Sequence, residues 1–151
     1  MAALLTPEML AWIGKSAPPV TETVSRRDIR KYAAASGQRL QKYLDGDEAP
    51  PMFHSHFFER IVPLDQLEPD GHAPDPLMPP LPLHRVMAGG REIELHRPIR
   101  PGDTLTSTRT LLELYEKEGR TGPLIFAVVR MSVVDDARKP VITDRWTRIL
   151  R

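Results

Sequence analysis

The stretch Leu83–Thr106 reads LHRVMAGGREIELHRPIRPGDTLT and decides the fold. In its middle, residues 91–97 alternate, with Ile93 and Leu95 on one side and charged or polar residues on the other. A period of two is typical of a strand that buries one face. The strand is expected to stop at Pro98, because proline has no N–H to donate to a neighbouring strand.

Both ends of this predicted strand carry turn signals. Gly89 and Gly90 precede it, and glycine suits a turn or a close backbone approach because it tolerates a positive φ. Residues 101–103 follow it as Pro-Gly-Asp, which is common turn chemistry. A basic corner that contains Arg97 and Arg100 is therefore expected to join two strands.

Strand signals continue to the end of the chain. Residues 104–117 alternate and then change parity, which a β-bulge near Leu111 explains. A turn cluster at 118–123 leads into residues 125–133, where five apolar residues share one face. A last strand is predicted over residues 140–150. The sequence thus predicts four long antiparallel strands.

The first third of the chain carries helix signals instead. A capping hydroxyl at Thr6 starts a short helix, and residues 20–24 read as a short strand. The most clearly marked helix follows a capping box at Ser25 and stops at Gly37. Residues 38–49 are polar and irregular. Another helix is predicted over 51–61, with apolar residues four positions apart.

A proline-rich loop is predicted at about 62–82, where seven prolines fall within twenty residues. Such a segment is expected to run over the surface and not to form a packed element. It would close over a ligand, reach a partner subunit or remain a solvated excursion. Helices followed by strands predict an α+β domain, with one curled antiparallel sheet against a helix. Residues 1–151 are expected to form this single domain.

Composition excludes several classes of protein. The 151 residues carry a net charge of +1, so no overall field points to nucleic acid or to an anionic membrane. There is no cysteine, which excludes disulfides, thiolate metal sites and cysteine nucleophiles. No apolar run is long enough for a membrane span or a signal peptide, so a cytoplasmic location is expected.

Three segments of the sequence resemble a known family: AGGREIELHRPIRPGDTL, YEKEGRTGPLIFAVV and the closing TRILR. They are similar to the N-terminal half of MaoC-like dehydratases, in particular of the itaconyl-CoA and mesaconyl-CoA hydratase type. The resemblance runs from about Thr6 to Arg151. It implies a hot-dog fold, in which an antiparallel sheet wraps around a central helix. It also implies an acyl-CoA thioester as substrate, addition or removal of water, and no cofactor.

Catalysis in this family uses an aspartate or asparagine and a histidine in a loop after a helix, roughly Gly-Asp-x-Asn-Pro-x-His. In this chain Gln38 stands in place of the acidic residue and Tyr43 in place of the histidine. Glutamine does not titrate, and the unperturbed pKa of tyrosine is about 10, so neither is a good base at neutral pH. The resemblance therefore assigns no catalytic residue to this chain.

The leading hypothesis is a substrate-binding subunit of a heteromeric 2-enoyl-CoA hydratase, with the catalytic dyad on a MaoC-like partner. A curled sheet leaves an unpaired edge, so a dimer or a higher oligomer is expected. Two alternatives remain open. One is an acyl-CoA-binding hot-dog protein without chemistry. The other, disfavoured by the resemblance, is a thioesterase that uses Glu59 on the predicted helix.

Several residues are candidates for binding the substrate or CoA. The guanidinium groups of arginines suit phosphate oxygens, although surface arginines also pair with nearby acids. Two histidines, two residues apart, would line the mouth of a cleft or make structural hydrogen bonds. No nearby carboxylate cluster completes a metal site, so no metal is expected. The candidates are His54, His56, Arg85, Gly89, Gly90, Arg97 and Arg100.

Overall fold

A five-stranded antiparallel sheet forms the frame of the computed structural model, which describes residues 3–69 and 71–151. The strands, numbered along the chain, are β1 (Val20–Thr23), β2 (Val86–Leu95), β3 (Thr104–Gly119), β4 (Gly122–Asp135) and β5 (Pro140–Leu150). Their order across the sheet is β1-β3-β4-β5-β2. The last three strands in the sequence are consecutive neighbours, whereas β2 lies at an edge beside β5.

Four short helices precede β2. They are α1 (Pro7–Leu10), α2 (Arg26–Ala35), α3 (Gln41–Leu44) and α4 (Phe53–Phe57), and a 3-10 turn follows at Leu64–Gln66. The capping box predicted for α2 is present, since the Ser25 hydroxyl accepts the N–H of Asp28 at 3.1 Å and the Asp28 carboxylate accepts the N–H of Ser25 at 3.2 Å. Ile29 and Ala33 of α2 are fully buried. This helix is the central helix that the α+β hot-dog prediction requires.

The pairing register locates two irregularities in the sheet. The pairing of β3 with β4 shifts between Leu111 and Glu113, which confirms the bulge predicted near Leu111. The pairing of β2 with β5 shifts between Ala88 and Arg91, so the two glycines form a bulge inside β2 and not a turn before it. Strand β2 therefore begins five residues earlier than predicted.

Each glycine of this bulge has its own physical reason. A Cβ on Gly89 would lie 2.8 Å from the Ile149 side chain, so the close approach predicted from the sequence is real at this position. Gly90 has a φ of +126°, a conformation that side chains other than glycine rarely adopt. Together they let the edge strand follow β5 across an extra residue.

The interior consists of two apolar clusters. The first packs α2 and α4 against β3, β4 and β5, and contains Val24, Ile29, Phe53, Leu105, Val133 and Ile142. The second contains Leu5, Leu77, Leu111, Leu114, Ile125 and Leu150. The half-buried Trp146 side chain packs against both clusters and joins them.

Part of the proline-rich segment is packed, contrary to the prediction of a surface loop. Leu77 is only 1% exposed and belongs to the second cluster. The Asp75 carboxylate accepts hydrogen bonds from Arg148 at 2.7 Å and from Arg109 at 3.3 Å. The available signal in the sequence was the acidic Asp75 two positions before the apolar Leu77, but the large number of prolines favoured a surface loop.

Two other differences are smaller. The helix predicted over 51–61 is limited to α4, and the irregular segment 38–49 contains the short α3. Leu95 is 50% exposed because β2 is an edge strand with little cover, so only Ile93 shows the half-burial predicted for this strand. Within residues 3–69 and 71–151, no helix is long and apolar enough to cross a membrane.

Candidate functional site

The loop after α2 is where the family resemblance locates the catalytic pair. The Gln38 N–H donates to the Ala33 carbonyl at 2.9 Å, which extends the end of the helix, and Gly37 takes a φ of +68° there. The Gln38 side chain is half-buried, with its amide 3.5 Å from the Ser36 hydroxyl. Tyr43 lies in α3 and is 9% exposed. An amide and a phenol thus stand at the two positions that the family resemblance assigns to the acid and the base.

Tyr43 lines a cavity of about 230 Å³ at the carboxyl end of β2. Its walls are partly apolar and partly polar, and the polar groups come from α3, the segment after it and residues 96–97. The lining residues are Tyr43, Glu48, Ala49, Pro50, Pro51, Leu95, His96, Arg97, Pro98, Ile99 and Ile142. The basic corner that contains Arg97 thus meets α3, which contributes Tyr43, at one cavity.

The charged groups of this cavity are paired with each other or with close neighbours. Lys42 contacts Glu48 at 2.7 Å, and this hydrogen bond raises the pKa of Lys42 above its usual value. The imidazole of His96 lies 3.0 Å from the Thr143 hydroxyl. These contacts fix the positions of Glu48 and His96 in the cavity wall.

Arg97 is also held by acids of the same corner. It donates to Asp103 at 2.8 Å and lies 3.5 Å from Asp135. The hydrogen bond to Asp103 is the main reason why the pKa of Arg97 lies above its usual value. The Arg100 N–H also donates to Asp103, at 2.8 Å. The local pairing considered from the sequence is present, and CoA binding by Arg97 and Arg100 stays a prediction.

The two histidines of α4 face different surroundings. His56 is exposed and stacks on Tyr32, with ring centroids 6.0 Å apart. His54 is fully buried; its Nδ1 lies 3.1 Å from the Pro51 carbonyl and its Nε2 lies 2.7 Å from the Asp144 carboxylate. Because water and substrate do not reach it, His54 makes structural hydrogen bonds, one of the two roles expected.

His54 belongs to a charged network that joins α4, β5 and β2. Asp144 is fully buried, and Arg91 donates to both of its oxygens, with Nε at 2.9 Å and 3.0 Å. Burial opposes the ionisation of Asp144, but the hydrogen bonds from His54 and Arg91 outweigh it and hold the pKa of Asp144 below its usual range. The guanidinium carbon of Arg91 also lies 5.3 Å from the ring centre of Trp146.

This network was missed in the sequence, although a signal existed. Asp144 falls between Ile142 and Trp146, two apolar residues that share its face of the predicted last strand. A charged residue at a core position is rare unless it is paired. The sequence indicated neither that Arg91 would be the partner nor that α4 would supply His54, because both contacts depend on the packing of distant elements.

Arg85 lies at the opposite end of β2, in an open depression of about 510 Å³. Its neighbours there come from the turn before β4, the start of β4, Leu83 and Arg151. The lining residues are Leu83, Arg85, Thr121, Gly122, Pro123, Leu124 and Arg151.

Glu59 is exposed and lies beyond the end of α4, so it is not on a central helix as predicted. In the described ranges, no group of three or more His, Asp or Glu side chains could hold a metal ion.

Comparisons with known proteins agree with this architecture. Residues 11–144 match the family model described as FAS1-like, dehydratase domain region. The chain is 32% identical over 127 residues to mesaconyl-C(4)-CoA hydratase from Chloroflexus aurantiacus, a match that covers 81% of this chain and 44% of that protein. The chain thus spans less than half the length of that relative.

Two solved structures show the same fold at low sequence identity. The ChsH1–ChsH2 complex from Mycobacterium tuberculosis aligns with a TM-score of 0.68 and 17% identity, over 94% of this chain and 86% of the matched chain. The C-terminally truncated HadBC (3R-hydroxyacyl-ACP dehydratase) complex from the same organism aligns with a TM-score of 0.57 and 14% identity, over 91% and 96%. With its family model matched over most of its length, the chain belongs to the FAS1-like dehydratases, within the MaoC-like hot-dog hydratases and dehydratases.

Proposed function

We propose that this chain is the substrate-binding subunit of a heteromeric 2-enoyl-CoA hydratase, or 3-hydroxyacyl-CoA dehydratase, and that a MaoC-like partner carries the Asp/His dyad. The proposal is supported by Gln38 and Tyr43, which stand at the two positions that the resemblance assigns to the dyad, in a chain that matches the family model. The proposal includes a cytoplasmic location.

The chemistry explains why the replacement matters. Hydration adds the water oxygen to the β-carbon of the enoyl thioester and a proton to the α-carbon, so a base and an acid must lie within hydrogen-bond reach of both sites. Gln38 offers no titrating group, and His54 is sealed in the core by Asp144. A chain with these groups is suited to bind and orient a thioester while another subunit moves the protons.

Two further features support an assembly with a partner. Strand β2 is at the edge of the sheet, so its outer backbone groups are available to another strand. Among the structural neighbours, ChsH1–ChsH2 and HadBC are each described as a complex. An exposed edge strand beside a non-catalytic dyad loop is the arrangement expected of a subunit that completes its site across an interface.

The test compares the purified chain with its complex with a dyad-bearing hot-dog protein. Loss of the ultraviolet absorbance of a 2-enoyl thioester reports hydration. We expect no activity above background for the chain alone, activity for the complex, and loss of that activity when the partner's dyad is replaced by Asn and Gln. Full hydration by the isolated chain would refute the proposal.

A second candidate is an acyl-CoA-binding protein without chemistry, which the same absence of the dyad favours. It predicts thioester binding by a chain that forms no active complex with any dyad-bearing partner. The thioesterase alternative predicts release of free CoA that is lost in Glu59→Ala. The exposed position of Glu59 beyond α4 does not support that alternative.

A further inference from the structure

Arg85 comes just before β2 and Arg151 just after β5, and the two arginines lie directly opposite each other where these strands pair. The Arg85 N–H donates to the Arg151 carbonyl at 3.1 Å, and the Arg151 N–H donates to the Arg85 carbonyl at 3.0 Å. Residues that exchange both hydrogen bonds in an antiparallel pair carry their side chains on the same face. Like charges in this position destabilise a sheet unless an anion or an acid lies between them.

Among the residues that the structure describes, no acidic side chain lines the depression that these arginines share. Its other polar groups are the Thr121 hydroxyl and the backbone at Gly122, which has a φ of +130° and open space where a Cβ would lie. Leu83 and Leu124 supply apolar walls.

The geometry points to a binding site for the phosphates of CoA in this depression, with Arg85 and Arg151 as the phosphate ligands. Guanidinium groups bind phosphate oxygens through two parallel N–H bonds, and two of them suit a ligand with several phosphates. The inference deepens the proposed function and rests on it, because it names the carrier that holds the thioester. It replaces the basic corner as the principal phosphate site, since Arg97 there is already paired with Asp103.

The position along β2 gives this site a role in the assembly. Arg85 precedes the ten residues of β2, whereas the Tyr43 cavity lies at the other end, about 30 Å away at roughly 3.3 Å per residue. If two such edge strands pair antiparallel about a two-fold axis, the start of one lies beside the end of the other. CoA bound at Arg85 would then lie near the dyad loop of the partner and not near that of its own chain.

The inference also selects between two thioester carriers. CoA presents a diphosphate and a 3′-phosphate, whereas the phosphopantetheine arm of a carrier protein presents a single phosphate. Two arginines without an acidic neighbour favour the ligand with more negative charge. We therefore expect CoA to bind more tightly than phosphopantetheine, and the difference to disappear when Arg85 is neutralised.

The experiment is calorimetric titration of the purified chain, and of its complex, with CoA, ADP and phosphopantetheine. Arg85→Met is compared with Arg100→Met, a matched change at another exposed arginine, and with Arg85→Lys. Because Arg85 is exposed and contributes to the sheet through its backbone, all three variants are expected to keep the circular dichroism of the native fold.

We expect Arg85→Met to weaken CoA binding about tenfold, Arg85→Lys to weaken it less and Arg100→Met to change it less than twofold. Raising the salt concentration should weaken binding to the native chain more than binding to Arg85→Met. In the active complex, Arg85→Met should raise KM for the enoyl-CoA and leave kcat unchanged.

Three results would overturn the inference. They are equal CoA affinities for Arg85→Met and Arg100→Met, equal affinities of the native chain for phosphopantetheine and CoA, and no binding of CoA to either the chain or its complex. Because binding is measured without turnover, an inactive complex that binds CoA through Arg85 would contradict the proposed function and leave this site intact.

Discussion

The two ends of β2 differ in how their charges are arranged. At the carboxyl end, Arg97 is held by Asp103 and Asp135, and Lys42 is held by Glu48. At the amino end, Arg85 and Arg151 lie side by side in a depression whose lining, within residues 3–69 and 71–151, includes no acid. The paired charges at the carboxyl end are typical of a structural scaffold. The two adjacent arginines at the amino end fit the proposed phosphate site.

Between these ends, the buried Asp144 network holds β2 onto the sheet. It connects the edge strand through Arg91, the neighbouring strand through Asp144 and the helical layer through His54. The contrast between the two ends of β2 depends on this network, because the network attaches the middle of the strand to β5 and α4.

The largest effect is expected for Asp144→Ala. The change leaves the Arg91 guanidinium without its acid and removes a buried hydrogen-bond partner of His54, which should cost about 3 to 5 kcal/mol of unfolding free energy. Urea denaturation measures this. Asp136→Ala, at an exposed acid in the turn before β5, is the control and should change stability by less than about 0.5 kcal/mol. Equal effects of the two changes would show that the network does not hold the fold.

The same carboxylate predicts how stability depends on pH. Because the folded state lowers the pKa of Asp144, its contribution is present above the unfolded pKa of about 3.9 and is lost as pH falls through the lower folded value. The free energy of unfolding should therefore fall more steeply with acid in the native chain than in Asp144→Asn. Parallel pH profiles for the two proteins between pH 6 and pH 3 would contradict this assignment.

The next effect concerns the glycine bulge that precedes Arg91 in β2. In Gly89→Ala the new methyl group meets the Ile149 side chain at 2.8 Å, so a cost of about 1 to 3 kcal/mol is expected. Thermal unfolding measures it. Ile149→Ala removes both of the carbons that the new methyl group would meet, so the double change Gly89→Ala with Ile149→Ala should cost less than the sum of the two single changes if the contact is the cause. A cost equal to that sum would point to the backbone of the bulge instead.

The two ends of β2 should differ in how much their side chains contribute to stability. Asp103→Ala removes the acceptor shared by Arg97 and the Arg100 N–H, which should cost about 1 to 2 kcal/mol. Arg85→Met at the other end should cost almost nothing, since its side chain is exposed. If Asp103→Ala lowered CoA affinity as much as Arg85→Met, the contrast between the two ends would fail.

The sequence predicted most of the sheet because its signals are local. Alternation located β3, β4 and β5, the parity change at Leu111 located a bulge, and Ser25 with Asp28 located the start of α2. The weak points were elements whose form depends on distant packing. The Gly89–Gly90 pair reads equally well as a turn or a bulge until β5 is beside it.

The site was predicted less completely for the same reason. Gln38 and Tyr43 were identified from the family pattern, and Arg85 was one of several basic candidates. The partners that distinguish these candidates are far away in the sequence. Asp135 engages Arg97, and Arg151 faces Arg85. Charge pairing between separate strands is not visible in a single sequence, so the relative merit of Arg97 and Arg85 appears only in the fold.

In the proposed complex, this chain binds the thioester while a partner performs the acid–base steps. The most direct measurement is the rate of 2-enoyl-CoA hydration by the complex in which only the partner's dyad has been replaced by Asn and Gln. With Gln38 and Tyr43 as the remaining dyad positions, we predict a rate at background although CoA still binds. Hydration at the rate of the intact complex would contradict the account, because catalysis would then reside in this chain.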